Sequence, residues 1–340
     1  MVRTNYNSLR TAAGVSLVEV MITLVVSSFI VLGTITVFMQ SRTTFRVNES
    51  VSRLQENARF ALDVIGRDIR MAGYYGLTSR SELIGNGATP LDAIPAGLAV
   101  DGDCGQNWSI NLTAIADGTN NSYDWDCDAF GTGAQLNADT LVVRRATEDP
   151  ITILQPGTLY LQSARFRDSR LFTGTVFPNG FAAVASQAHE LVVNGYYVSQ
   201  NSTFLDEPGN PMPSLRVKSL ATGPLGPQIV DQELMPGVED LQVQFGVDTD
   251  DEGDPNRGSI DRYVNPGDPI ITPGNPAFLR DTQILAVRIW LRIRAERPEN
   301  GFIDDRGYDY ADRSVAAPND QIRRLVVSKT IFLRNARRPT

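Results

Sequence analysis

The stretch from Gly14 to Met39, GVSLVEVMITLVVSSFIVLGTITVFM, constrains this chain more than any other, because it is apolar throughout and carries one charge, Glu19. As a helix, the 25 residues from Val15 to Met39 would rise about 1.5 Å each and span roughly 37 Å, more than the roughly 30 Å hydrocarbon core of a bilayer. The segment can cross a membrane. Residues 1–14, MVRTNYNSLRTAAG, carry Arg3 and Arg10 and no apolar core of their own, and no A-x-A site follows Met39. An ordinary secretory signal is cut behind its apolar region, and this chain offers no such site there. The basic leader favours a cytoplasmic N-terminus, while Arg42 and Arg46 on the far flank weigh the other way.

Glu19 admits two readings. A carboxylate in a membrane helix costs on the order of 3 kcal/mol at the centre. One turn from the segment's start it can snorkel toward the interface, so Glu19 is either a tolerated interfacial acid or a partner for a cation. Cutting after Gly14 would supply that cation as the new amine of Val15, on the same chain or on a neighbour. Glycine, four residues and then Glu at the head of an apolar helix resembles the type IV pilin and pseudopilin family. The resemblance implies cleavage between Gly14 and Val15 by a prepilin peptidase, N-methylation of Val15, and a subunit-registering role for Glu19. Val15 departs from the family, which usually has Phe there.

The apolar period continues beyond Met39. Val47, Val51, Leu54, Ala58, Ala61, Leu62, Ile65, Ile69 and Ala72 recur at spacings of three and four, with Arg53, Glu56, Arg59, Asp63, Arg67 and Asp68 largely on other faces. This predicts one helix with a membrane half, 15–39, and an amphipathic half, 40–73, ended by Gly73, Tyr74, Tyr75 and Gly76. Gly33, beside the β-branched Thr34, Ile35, Thr36 and Val37, is where such a helix would loosen most easily. The segment ENARFALDVIGRDIRMAGYYG, Glu56 to Gly76, resembles the PilW subgroup of minor pilins, as does the later TIFLRN, Thr330 to Asn335.

With 42% hydrophobic and 21% charged residues, the remainder can bury one large core or two smaller ones. The net charge of −8, or −10 once Arg3 and Arg10 leave, argues against nucleic acid or an anionic lipid surface as partner. Residues 74–138 are rich in Gly, Asn, Asp and Thr with few periodic apolar positions, and read as an insertion held by a disulfide rather than by a core. Cys104 and Cys127 form either that disulfide, worth about 3 kcal/mol outside the cytoplasm, or a pair of free thiols. Trp108, Tyr123 and Trp125 either pack beneath the insertion or serve as exposed contacts.

Residues 139–340 read mostly as sheet. Strands are expected at Thr140 to Arg145, Ile151 to Gln155, Leu171 to Phe177, Glu190 to Ser199, Leu215 to Leu220 and Val238 to Val247. Ile284 to Arg294 alternates, with Leu285, Val287, Ile289, Leu291 and Ile293 on one face, and Arg324 to Arg334 can pair beside it. The fold class is therefore α+β: a long N-terminal helix packed on a mainly antiparallel β domain with loop insertions.

Chemistry-bearing constellations are few. Asp248, Asp250, Glu252, Asp254 and Asp261 concentrate hard oxygen donors around Gly253. The first, third, fifth and sixth places of a calcium loop are met, but Ser259 stands where the bidentate Glu belongs. Calcium by another geometry and a solvated hairpin loop both remain open. His189 is the lone histidine, no G-x-S-x-G elbow, Walker loop or H-E-x-x-H occurs, and two cysteines with one histidine do not make an ordinary closed zinc site. No enzyme activity and no cofactor beyond calcium are expected. The resemblance implies instead a minor pilin that helps initiate type IV pilus assembly, or alternatively a J-type minor pseudopilin of a type II secretion system. Membrane-anchored calcium-dependent adhesins and hydrolases form a different class that leaves Glu19 unexplained. The implied partners are other minor pilins, the major pilin, the prepilin peptidase, the inner-membrane assembly platform, a tip adhesin and, before assembly, membrane lipid. The implied location is the inner membrane with a periplasmic β domain, then the pilus.

Overall fold

A computed structural model describes residues 14–78, 80–165, 169–178, 186–205, 211–251, 253–279 and 281–336. The leader residues 1–13 and Glu252 lie outside the described residues. The chain divides into two units, Met1–Arg53 and Leu54–Thr340, and the division falls within one helix, α1, Leu17–Met71. The helix runs unbroken through Gly33. Thr34 and Thr36 donate their hydroxyls to the carbonyls of Val31 and Gly33 at 2.8 Å, bonds that a helix interior satisfies locally.

α1 ends where the sequence places its glycines. Gly73 has φ +73°, and a Cβ there would lie 3.3 Å from Ile115. Its N–H donates to the carbonyl of Arg144 at 3.0 Å, so the helix terminus is tied directly into the sheet. Glycine meets both demands at once, a left-handed backbone and a close neighbour.

Among the described residues, the largest sheet joins β1 (Ile84–Gly85), β2 (Ala116–Asp117), β3 (Leu141–Ala146), β4 (Leu159–Ser163), β5 (Ser169–Thr173), β6 (Gln187–Ser199), β7 (Ser214–Thr222) and β8 (Pro227–Pro236). β6 is its organiser, pairing antiparallel with β4, β3 and β7 along successive stretches. A second sheet has the order β10 (Arg262–Val264), β9 (Val238–Asp248), β11 (Gln283–Arg294), β14 (Arg324–Phe332), all antiparallel. A hairpin of β12 (Tyr308–Tyr310) and β13 (Arg313–Val315) completes the set. The β11 alternation appears as expected, with Val287, Ile289, Leu291 and Ile293 fully buried, and β14 pairs with it from Ala286↔Phe332 to Arg294↔Arg324.

Three expectations need correction. Ile151 to Gln155 forms no strand. Pro150 and Pro156 bracket it and cannot donate to a ladder, and its ends are held singly, by Ile151 N–H on Ala188 O and Gln155 N–H on the Tyr160 hydroxyl. β4 is a strand that its length of five residues concealed, and β8 one that the polar Gln228, Asp231, Gln232 and Glu233 concealed. Finally, the 74–138 insertion has a core. Ile84, Leu98, Trp108, Ile110 and Leu112 are buried with Val142, Leu161, Leu191 and Val193 of the sheet. These apolar residues arrive singly between turns, so no period betrays them. Trp108, Tyr123 and Trp125 pack on β6: Trp125 lies 5.0 Å from Tyr123 and 6.0 Å from Tyr197, ring centre to ring centre. Gly195 makes room, since a Cβ there would meet the indoles of Trp125 and Trp108 at 2.7 and 2.8 Å. The Cys104–Cys127 disulfide closes over this cluster.

Candidate functional site

The head of α1 is the site that the sequence singles out. Gly14 is exposed, and a Cβ built there would meet nothing within 4 Å among the described residues. Val15 is 68% exposed. Glu19 occupies the first helical turn, where a carboxylate complements the unpaired N–H groups of the helix start. Among the described residues no cationic side chain forms an ion pair with it.

Behind Glu19, the helix surface is apolar all round. Leu24, Phe29 and Phe38 are exposed, as are Ile22, Ile30 and Leu32. Every Ser and Thr hydroxyl from Leu17 to Met39 donates back into the helix: Thr23 to Val20 O, Ser27 to Thr23 O, Ser28 to Val25 O, Thr34 to Val31 O and Thr36 to Gly33 O. In hydrocarbon an unpaired polar group costs several kcal/mol, and here none of these hydroxyls is left unpaired. This is the single helix among the described residues long and apolar enough to span a membrane.

From Leu54 on, the same helix is built differently. Leu54, Ala58, Ala61, Leu62, Ile65 and Ile69 are buried in a cluster with Val143, Val198, Leu241, Ile289 and Ile331. Asp68, expected on a polar face, is buried as well. It pairs with Arg145 at 2.9 Å and accepts hydrogen bonds from Asn194 and the Tyr196 hydroxyl. Burial, and then the Asp68 carboxylate, push the Tyr196 phenol well above its ordinary range, so it stays a donor. On the rim, Lys329 donates to Asp63 at 2.7 Å, and this hydrogen bond holds the Asp63 carboxyl below its ordinary value.

The acidic loop joins β9 to β10 as a hairpin tip. Carboxylate oxygens of Asp248, Asp250 and Asp261 lie within 4.8 Å of one another. Asp254 is not in this group, and Glu252 lies outside the described residues. Much of the oxygen supply is committed locally. Asp248 accepts from the N–H groups of Asp250 and Gly258, and Asp261 from the N–H and hydroxyl of Thr249. Burial and the neighbouring Asp261 and Asp254 raise the Asp250 carboxyl above its ordinary value. His189 is buried in β6 with Nδ1 2.8 Å from Thr147 O, a placement that fits a structural residue.

An apolar helix head that opens onto a helix-packed, antiparallel β domain defines a class of single-helix-anchored β proteins. Within it, residues 195–335, from the middle of β6 through β14, match the family model of PilW, the type IV pilus-assembly protein W. The match lies wholly in the β region, and the helix features that resemble the same family lie outside it. No curated protein sequence matches the chain significantly. Among solved structures, a type IV-like pilin from Thermus thermophilus aligns over 84% of this chain and 100% of its own, at 13% identity and a TM-score of 0.34.

Proposed function

We propose that this protein is a minor pilin that helps initiate type IV pilus assembly, in a priming or tip complex with other minor pilins. One observation carries the reading. The helix head presents an apolar surface on every side with its hydroxyls satisfied and a single carboxylate at its start, on a chain whose residues 195–335 match a pilus-assembly family. Such a surface is stable in lipid or against other helices like itself, and not in water. The subunit would rest in the inner membrane with its β domain periplasmic, then leave the bilayer into a bundle of equivalent helices.

In this reading prepilin peptidase cuts between Gly14 and Val15, the Val15 amine is methylated, and Glu19 pairs with the amine of a neighbouring subunit. The pairing registers one helix start against the next, because an unpaired carboxylate inside an apolar bundle is costly. Gly14→Leu is expected to abolish processing, read as retention of the full-length form on a gel. A normal-sized product would overturn the peptidase assignment. Glu19→Ala is expected to leave cleavage intact and to cut recovery of the subunit in sheared pili by about tenfold or more. Unimpaired recovery would overturn the registration role. Deleting the chain should lower surface pilus number, whereas normal piliation with lost protein secretion would favour the pseudopilin assignment.

A further inference from the structure

β14 ends the second sheet on one side, and its outer edge carries no further strand among the described residues. The direction of its main-chain groups follows from its register. Leu333 N–H donates to Leu285 O and Ala295 N–H to Arg323 O, and the pairing between these points is regular from Ala286↔Phe332 to Arg294↔Arg324. Bonded and non-bonded pairs alternate in an antiparallel ladder, so the odd-numbered residues of β14 bond to β11 and the even-numbered ones turn away from it. Val326, Ser328, Thr330 and Phe332 therefore offer their N–H and C=O groups to the open edge, where no described residue takes them up.

Sheets ordinarily guard such an edge with a short strand, a proline, a bulge or an outward charge. β10, at the opposite edge, has three residues and Pro266 soon after it. β14 has nine, without a proline and without a bulge against β11. Both its charges are spent within the chain, Arg324 on Glu239 and Asp320, and Lys329 on Asp63 of α1.

The surroundings of the edge specify what fits it. A groove of about 520 Å³ lies between β14 and α1, lined from the strand by the half-buried Leu325 and Val327 with Ser328 and Lys329, and from the helix by Arg59 and Asp63 among others. Lys329 occupies Asp63, so Arg59 stays exposed without an ion pair among the described residues, as does Arg67 one turn beyond Asp63. Unpartnered main chain calls for an extended segment, and unpaired cations call for acidic side chains. A second copy of β14, added antiparallel, meets only the first demand, because it would bring its own Arg59 toward this one.

We propose that the open edge of β14 receives an extended acidic segment of a different protein as an added strand of the second sheet. Its main chain would pair with Val326, Ser328 and Thr330. Side chains on its α1-facing side would lay their stems along Leu325 and Val327 and carry carboxylates to Arg59. Those on its other side would cover Val326 and the exposed Phe332, which alternation places on the face away from α1. Neither the apolar helix head nor its processing takes part in this contact.

The test uses the full chain in detergent and two labelled peptides, acetyl-Val-Glu-Val-Glu-Val-Glu-Val-Glu-amide and its Lys counterpart, followed by fluorescence anisotropy. The acidic peptide is expected to bind saturably and the lysine peptide about tenfold more weakly or less. Ser328→Pro removes an N–H that β11 does not use, a change that edge strands tolerate. It should hold the melting temperature within about 2 °C and weaken the acidic peptide about tenfold or more, through a lost hydrogen bond and the added ring. Arg59→Glu, on the exposed helix face, should weaken that peptide about tenfold without changing the melt. Absence of binding by the acidic peptide, equally tight binding of the lysine peptide, full affinity in a folded Ser328→Pro variant, or full affinity in Arg59→Glu would each overturn the site. Self-association of the chain that Ser328→Pro abolishes would put a second copy on the edge and overturn the acidic partner.

Discussion

The two halves of α1 share one secondary structure and meet opposite requirements. From Leu17 to Met39 the apolar side chains point outward on all sides and stay exposed, whereas from Leu54 to Ile69 they form one stripe that the β domain covers. The hydroxyls of the first half close onto their own helix, but Asp68 of the second half closes onto Arg145, Asn194 and Tyr196. A helix that must live among lipids or other helices satisfies its polar groups internally, while one committed to a fixed domain can export that task to its neighbours. Composition alone separates the two, because an all-round apolar surface has no stable solution in water.

Four substitutions sharpen this contrast. The largest effect is expected for Ile65→Asp, which puts a carboxylate without a partner into the centre of the packed half. The β domain should lose cooperative melting, as read by near-ultraviolet circular dichroism. Asp68→Ala comes next: it strands the half-buried Arg145 and two hydrogen-bonding groups, and should cost about 3 kcal/mol in denaturant unfolding. Val25→Asp, in the exposed half, should leave that unfolding unchanged while costing about 3 kcal/mol in membrane insertion, measured as the fraction of chain extracted by alkaline wash. A loss of domain stability in this variant would break the division between the halves.

The smallest effect concerns pH. The Asp63 carboxyl sits below its unfolded value because Lys329 bonds to its charged form. Its contribution is therefore present above the ordinary carboxylate range and is lost as pH falls through the folded value. Asp63→Asn should remove this part of the acid sensitivity, shifting the melting temperature by about 1 °C at neutral pH and by less at pH 3, since the pair is open to solvent.

Much of the fold was legible because regular elements print their period on the sequence. The stripe from Leu54 to Ile69 and the alternation of β11 are both repeated features, and Gly73 marks the helix end at the position where a left-handed backbone is needed. Asp68 was readable in part. It falls three residues after Ile65, on the buried stripe, so its spacing marks it for burial although its charge does not. The core of the insertion was not readable, because Ile84, Leu98, Ile110 and Leu112 have irregular spacing and only the sheet beneath them makes them neighbours.

The sequence by itself determined the helix, its two surfaces, the lone Glu19 at its head and the mainly β character of the rest, since each depends on residues close together along the chain. Tertiary structure alone decided that carboxylate oxygens of Asp248, Asp250 and Asp261 would come within 4.8 Å of one another, that Asp68 would meet Arg145, and that Asn120, Asn121 and Asn265 would converge on Asp312. Those last partners are separated by up to 192 residues. Such meetings follow from strand order and register, and no local pattern carries that information.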